Sequence, residues 1–327
     1  MKNSELYSKI LESSSVQKDT VAEFERSKNL MDVRKLFIDR RDYEDTGYGR
    51  SDVNEFYQFA KNELSDINYS ETDLTAIARE AEDPKELVMS EGVFLSAAFN
   101  LLDEDQITFP DLERIDYVGL ENSGQIVIEG SVGRRLGTDM IEGQIWVEGD
   151  AEGYVGRGMK TGEIVVEGNA KSVYGPEDDG EIEVKNNSIT FGEKLEAGRL
   201  HLEGDGQYVG ASMTGGEIFV GGNVVGNPQG FVGASRSDRT KGSRESVKNG
   251  VGYNMSGGQI HVEGDVMAAG ELMSGGEIRI DGDAEEVGYD MTGGRVYIGG
   301  EIEEIPEEFE GGEIYQNQDG NWEQVAP

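Results

Sequence analysis

The sequence predicts an α+β protein in two parts, a helical region over residues 1–115 and a parallel β-helix over 116–316, with an insertion at 227–250 and a tail at 317–327. Three observations lead there. In the second part a glycine recurs at a nearly fixed interval, and each such glycine is followed by alternating β-branched residues; the first part instead carries capped apolar stretches at helical spacing.

The opening glycines are Gly124, Gly143, Gly162, Gly180, Gly198, Gly216, Gly258, Gly276, Gly294 and Gly312, at intervals of 19, 19, 18, 18, 18, 42, 18, 18 and 18. So short a period means stacked coils. Behind each glycine the apolar residues alternate, as in Ile126 and Ile128, Ile145 and Val147, Ile164 and Val166, Ile218 and Val220, and Ile278 and Ile280. Period two is the strand period, and β-branched side chains suit a pleated, half-buried surface. Three residues before the glycine stand Met140, Met159, Leu195, Met213, Met255, Met273, Met291 and Phe309, which predict an internal stack. Glu177 takes this place before Gly180, so that coil is expected to be distorted. A second glycine, six residues before the first, fits corners that need positive φ. A helical solenoid is excluded because a unit this short with two or three glycines cannot hold a helix pair. A sandwich would not repeat the same residues at the same phase.

The run Val-Gly-x-x-Met-x-Gly-Gly-x-Ile-x-Val-x-Gly, seen from Val209 to Gly222 and from Val251 to Gly264, resembles the glycine-motif β-helix shared by the C-terminal domain of the glutamate synthase large subunit and the β-helical subunit of formylmethanofuran dehydrogenase. The resemblance covers about Gly119 to Tyr315. It implies a right-handed β-helix that holds catalytic modules or subunits together and carries no reactive residues of its own. The helical region and the insertion are not part of the shared motif.

Twenty-nine basic residues against 66 acidic ones give a formal charge of −37. The acid is spread along the chain, with 14 basic and 26 acidic residues up to position 115, leaving 15 and 40 beyond. This excludes general DNA or anionic-membrane binding. With a patterned core it points to a surface kept hydrated in strong salt, hence to a halophilic, archaeal cytoplasm. There is no cysteine, so disulfides and thiolate metal sites are excluded, and no cofactor is expected. No signal peptide or membrane span is read in the sequence.

In the helical region, Thr20 with Glu23 fits a capping box before Leu30, Met31 and Val33. Ser51 and Asp52 precede Phe56, Phe59, Ala60 and Leu64, and Ser70 with Asp73 opens a helix carrying Leu74, Ile77 and Ala78. The most apolar run, from Ser90 through Val93, Phe94, Ala97, Ala98, Leu101 and Leu102, is expected to be buried. The segment from Asp103 to Asp111 fails as a calcium loop, because Leu102 would replace an oxygen ligand and Asp105 the required glycine. A β-helix needs covers at both ends. The helical region is expected to cover the first coil, while Glu301, Glu303, Glu304, Glu307, Glu308 and Glu310 repel a second copy at the last and Trp322 folds back over Phe309.

Position three after each glycine points outward and reads Val127, Trp146, Val165, Glu183, His201, Phe219, His261, Arg279, Tyr297 and Tyr315. Phe219 separates the two histidines by about two coil spacings, roughly 9–10 Å, too far to share a metal ion. The column is either a ladder of like side chains or a docking face for the helical region or another subunit, in which Trp146, His201, Phe219, His261, Tyr297 and Tyr315 would make contact. The insertion carries Arg236, Arg239, Lys241, Arg244 and Lys248 against Asp238 and Glu245, a local charge of +3 that suits an anionic ligand or acidic partner. No catalytic constellation is present. The sequence therefore leads to a scaffold protein with partner subunits and a possible homo-oligomeric state; an anion-binding module is the alternative.

Overall fold

The computed structural model describes residues 30–35, 50–80, 89–225, 250–306 and 310–326. Helical segments come first, at 30–35, then α1 (Arg50–Leu64), α2 (Glu71–Glu80) and α3 (Met89–Phe99). A parallel β-solenoid of about ten turns follows from Gln106. Its largest sheet has 12 strands, from Gln106–Phe109, through one strand behind each opening glycine, to Asn321–Ala326. All pairings in it are parallel except the last.

The alternation sets the register. Ile126, Ile145, Ile164, Ile182, Leu200, Ile218, Ile260, Ile278, Val296 and Ile314 are Cα partners in sequence down the sheet. None is more than 3 % exposed. Each such side chain contributes about 1.5–3 kcal/mol before chain entropy is subtracted, so stability accrues with the number of coils. Leu195 and the six methionines of the internal stack are fully buried, and Phe309 lies outside the described residues.

The methionine stack explains the opening glycines. A Cβ on Gly276, whose φ is +90°, would stand 2.6 Å from Met255 Cε of the preceding coil. Only glycine admits both that backbone angle and that methyl group.

A second wall, a five-stranded sheet followed by a three-stranded sheet, is continuous across the insertion. Val224 bridges Gly206 and Val266, and Val251 bridges Val209 and Ala269, so the coil closes on either side of it. Residues 226–249, which include Arg236, Arg239, Lys241, Arg244 and Lys248, lie outside the described residues.

The two 19-residue intervals have a local cause. Val132 and Leu136, like Ala151 and Val155, are four residues apart, whereas the equivalent Ser188–Phe191 and Gly206–Val209 steps take three. The extra residue falls where Arg135 (φ 67°) and Tyr154 (φ 57°) adopt the left-handed conformation. Coil Gly180 also departs, less than expected. Glu177 is exposed and Pro176 buried, yet Glu181–Val184 keeps full register with Glu163–Val166 and Arg199–Leu202. The distortion stays in the turn because the strand's own Ile182 and Val184 still fill the core.

The helices close the first coil. Ser70 and Asp73 cap α2 reciprocally, the Ser70 hydroxyl donating to Asp73 at 2.8 Å. Helix α3 is buried from Ser90 to Phe99, whereas Leu101, expected in its core run, follows the helix and is exposed. Ser96 Oγ donates to Tyr117 O and accepts from Gly119 N, at 3.0 and 2.9 Å. Asn100 Nδ2 donates to Leu120 O at 3.0 Å. Arg34 ties the 30–35 helix to Glu80 and Glu91 at 2.9 and 2.7 Å.

Candidate functional site

The outward column exists as a register. Trp146, Val165, Glu183, His201, Phe219, His261, Arg279, Tyr297 and Tyr315 are Cα partners in turn. Parallel strands set these positions about one coil spacing apart, close enough for rings to touch.

Within the column the rings pack on one another. His201 meets Phe219 edge to face with centroids 4.8 Å apart, and Phe219 meets His261 at 5.4 Å. Tyr297 and Tyr315 stack at 4.9 Å. Such pairs add about 0.5–1.5 kcal/mol beyond burial. Trp322 closes the lower end, its ring edge to face with Tyr297 at 5.4 Å and 5.5 Å from the Arg279 guanidinium. It does fold back as the sequence suggested, but onto these two residues; the anticipated partner Phe309 is outside the described residues.

Carboxylates flank the column. His261 Nε2 lies 2.8 Å from Asp281, which also accepts from Arg279 Nε at 3.0 Å. Burial pushes the Asp281 carboxyl up, but the hydrogen bonds from His261 and Arg279 outweigh it and hold the group below its ordinary range. His201 Nδ1 faces Glu183 at 3.4 Å. The two histidines are thus parted by Phe219 and each has its own acid. Among the described residues no three His, Asp or Glu side chains are grouped to hold a metal ion.

Trp146 differs from the lower rings. It is 42 % exposed, between Val127 and Val165 on the neighbouring strands. The strand that the helices contact most is Gln106–Phe109 of the first coil, as in the bond from Thr75 Oγ1 to Thr108 O.

The family models and the curated proteins contain no match to this chain.

Beside the column, the glycine corner forms an open trough of about 680 Å³, floored by Gly258, Gly276, Gly294 and Gly312. Its wall includes Arg295, bonded to Glu313 at 3.0 Å.

Two arrangements lay beyond the reach of the sequence. At another corner the Arg135 guanidinium lies between the rings of Tyr117 and Tyr154, at 4.9 and 5.6 Å, and Tyr154 stacks on Tyr174 at 5.7 Å. The 19-residue intervals were its one signal. The second is a ladder in which a side-chain oxygen of each coil accepts the backbone N–H of the next. Asp150 accepts from Asn169, Asn187 from Asp205, Asp205 from Asn223, and Asp265 from Asp283, at 2.7–2.8 Å. Its signal was the residue seven after each opening glycine.

Proposed function

We propose that this chain is a non-catalytic scaffold whose solenoid presents a rigid outward face to partner subunits, in the manner of the β-helical subunit of formylmethanofuran dehydrogenase. The observation that carries this reading is the exposed indole of Trp146 on a wall of in-register strands. Aromatic side chains held on a preorganised surface lose little entropy on binding and are the usual anchors of interfaces. The motif from Val209 to Gly222 supports the same class, since the proteins it resembles use this fold to hold other modules. Neighbouring genes for molybdenum or tungsten dehydrogenase subunits would favour that complex; amidotransferase-like neighbours would favour glutamate synthesis.

The test is affinity purification from the native host at high salt, comparing the chain with Trp146→Glu. Stoichiometric subunits lost in the variant, with its circular dichroism unchanged, are the expected result. Identical co-purification in both would overturn the reading.

A second reading rests on the reversed charge of the insertion, +3 within a chain of −37. On this reading Arg236, Arg239, Lys241, Arg244 and Lys248 hold an anionic metabolite or polymer, and serine at Arg236, Arg239 and Arg244 abolishes its binding. Unchanged binding removes it.

A further inference from the structure

The two ends of the 12-stranded sheet are finished differently. At one end the strand Gln106–Phe109 lies against α2, and α3 closes over the chain that follows. At the other, Asn321–Ala326 pairs with Gly311–Gln318 on one side and, among the described residues, has no strand on its other side. Every residue from Asn321 to Val325 is exposed, Trp322 by 37 % and Val325 by 38 %.

An edge strand offers alternate unpaired N–H and C=O groups, which template the addition of another strand. Proteins that avoid this place lysine, proline or a distortion on the edge. Asn321–Ala326 has neither lysine nor proline, and a single charge, Glu323, in a chain of −37. Its one irregularity falls near its end, opposite Ile314 and Tyr315. The strand is also held in place from within. The indole of Trp322 rests on Tyr297 and Arg279, and Ala326 is buried.

We infer that the strand Asn321–Ala326 is a self-association edge, through which a second copy of this chain adds antiparallel across a two-fold axis. Antiparallel addition lets one strand serve both copies, as a closed isologous interface requires. Centring the pair on Trp322 or on Gln324 sets Glu323 opposite Asn321 or Val325 of the second copy. In either register no carboxylate faces another, and the exposed apolar side chains are covered. A lysine-guarded edge would not permit this. Among the described residues each chain has one open end to this sheet and one covered by helices, so addition at the open end stops at two copies.

Of the carboxylates expected to repel a second copy, Glu303 and Glu304 lie on a different strand at this end, and Glu307 and Glu308 fall outside the described residues. Ile302–Glu304 is the last strand of the three-stranded sheet, and Glu303 and Glu304 are exposed there. They oppose the approach over a range set by salt, about 10 Å at 0.1 M and 3 Å at 1 M. Pairing therefore needs salt. This edge is separate from the Trp146 face, so self-association does not depend on whether that face binds subunits.

The experiment uses the purified full chain in molar salt. Sedimentation should give twice the chain mass, falling to the single-chain mass on dialysis to low salt before the circular dichroism of the solenoid is lost. Since the chain has no cysteine, Glu323→Cys places one thiol on each edge, and a short bifunctional thiol reagent should join two copies. Gln324→Lys and Val325→Lys should each leave single chains with the solenoid spectrum intact. A single-chain mass at every salt and protein concentration overturns the inference. So does a two-copy mass that both lysine variants leave unchanged, or a two-copy species that Glu323→Cys fails to cross-link. Occupation of the edge by a different protein, with the purified chain remaining single, overturns it as well.

Discussion

Asn223 Oδ1 accepts the backbone amide of Asp265 at 2.8 Å across 42 residues of sequence, the same length as the bond from Asn223 N to Asp205, 18 residues apart. The ladder runs past the insertion as though it were absent. Val224 and Val251 pair with the two ends of the strand Gly206–Val209 one coil earlier. Between Gly206 and Val209 stand two residues, and joining Val225 directly to Gly250 supplies two between Val224 and Val251.

Deleting residues 226–249 should therefore restore an 18-residue interval and leave the solenoid intact. Shortening a closed loop lowers its entropy cost, so stability should be unchanged or higher by on the order of 1 kcal/mol. Thermal unfolding in high salt measures this. A variant that fails to fold would show that the insertion contributes to the core.

A second expectation concerns the glycine–methionine contact. Gly276→Ala meets both a φ of +90° and Met255 Cε at 2.6 Å, and should cost about 2–4 kcal/mol. Met255→Ala leaves a cavity and should cost about 2–5 kcal/mol. In the double variant the methyl clash is gone, while the backbone strain and most of the cavity remain. Its loss should be smaller than the sum of the two, read by denaturant unfolding as a double-mutant cycle.

The inward residues were legible because both periods, two along a strand and about 18 between coils, leave Ile145, Ile164 and Ile278 no other place. The methionine stack was legible for the same reason. The outward column could be placed by phase, but not its packing, because whether His201 and Phe219 meet edge to face depends on rotamers. The ladder was hidden by chemistry. Its acceptor can be Ser131, Asp150, Asn169 or Asp283, since any side-chain oxygen of the right reach serves. In so acidic a chain each aspartate also reads as solvated surface. The Arg135–Tyr154 corner was hidden because left-handed residues are ordinarily foreseen from Gly, Asn or Asp.

The ladder yields a third expectation. Asp265→Ala removes the acceptor for Asp283 N and should cost about 1 kcal/mol, as a typical hydrogen bond does. Asp265→Asn keeps a carbonyl acceptor and removes one of two negative charges on adjacent coils. It should match the original chain in strong salt and exceed it in dilute buffer, where repulsion is less screened. Thermal unfolding at two salt concentrations distinguishes this from a ladder with no energetic role, for which the alanine and asparagine variants would coincide.

The last expectation is a pH dependence centred on Glu271. Burial raises its carboxyl from 4.5 to about 7, and the charges of Asp290 and Glu286 push the same way. An acid whose folded value exceeds its unfolded one favours the folded state while protonated. The two states titrate alike below about 4.5, and the folded state loses stability as pH rises from there through about 7. Glu271→Gln removes the charge that causes the loss. The variant should therefore unfold at the same temperature as the original chain near pH 4.5, and at a higher temperature above about pH 7. Because the carboxylates remote from Glu271 are common to both proteins, the difference between their melting curves reports on this residue and its coupling to Asp290 and Glu286, and a difference that does not grow with pH would show that Glu271 is solvated.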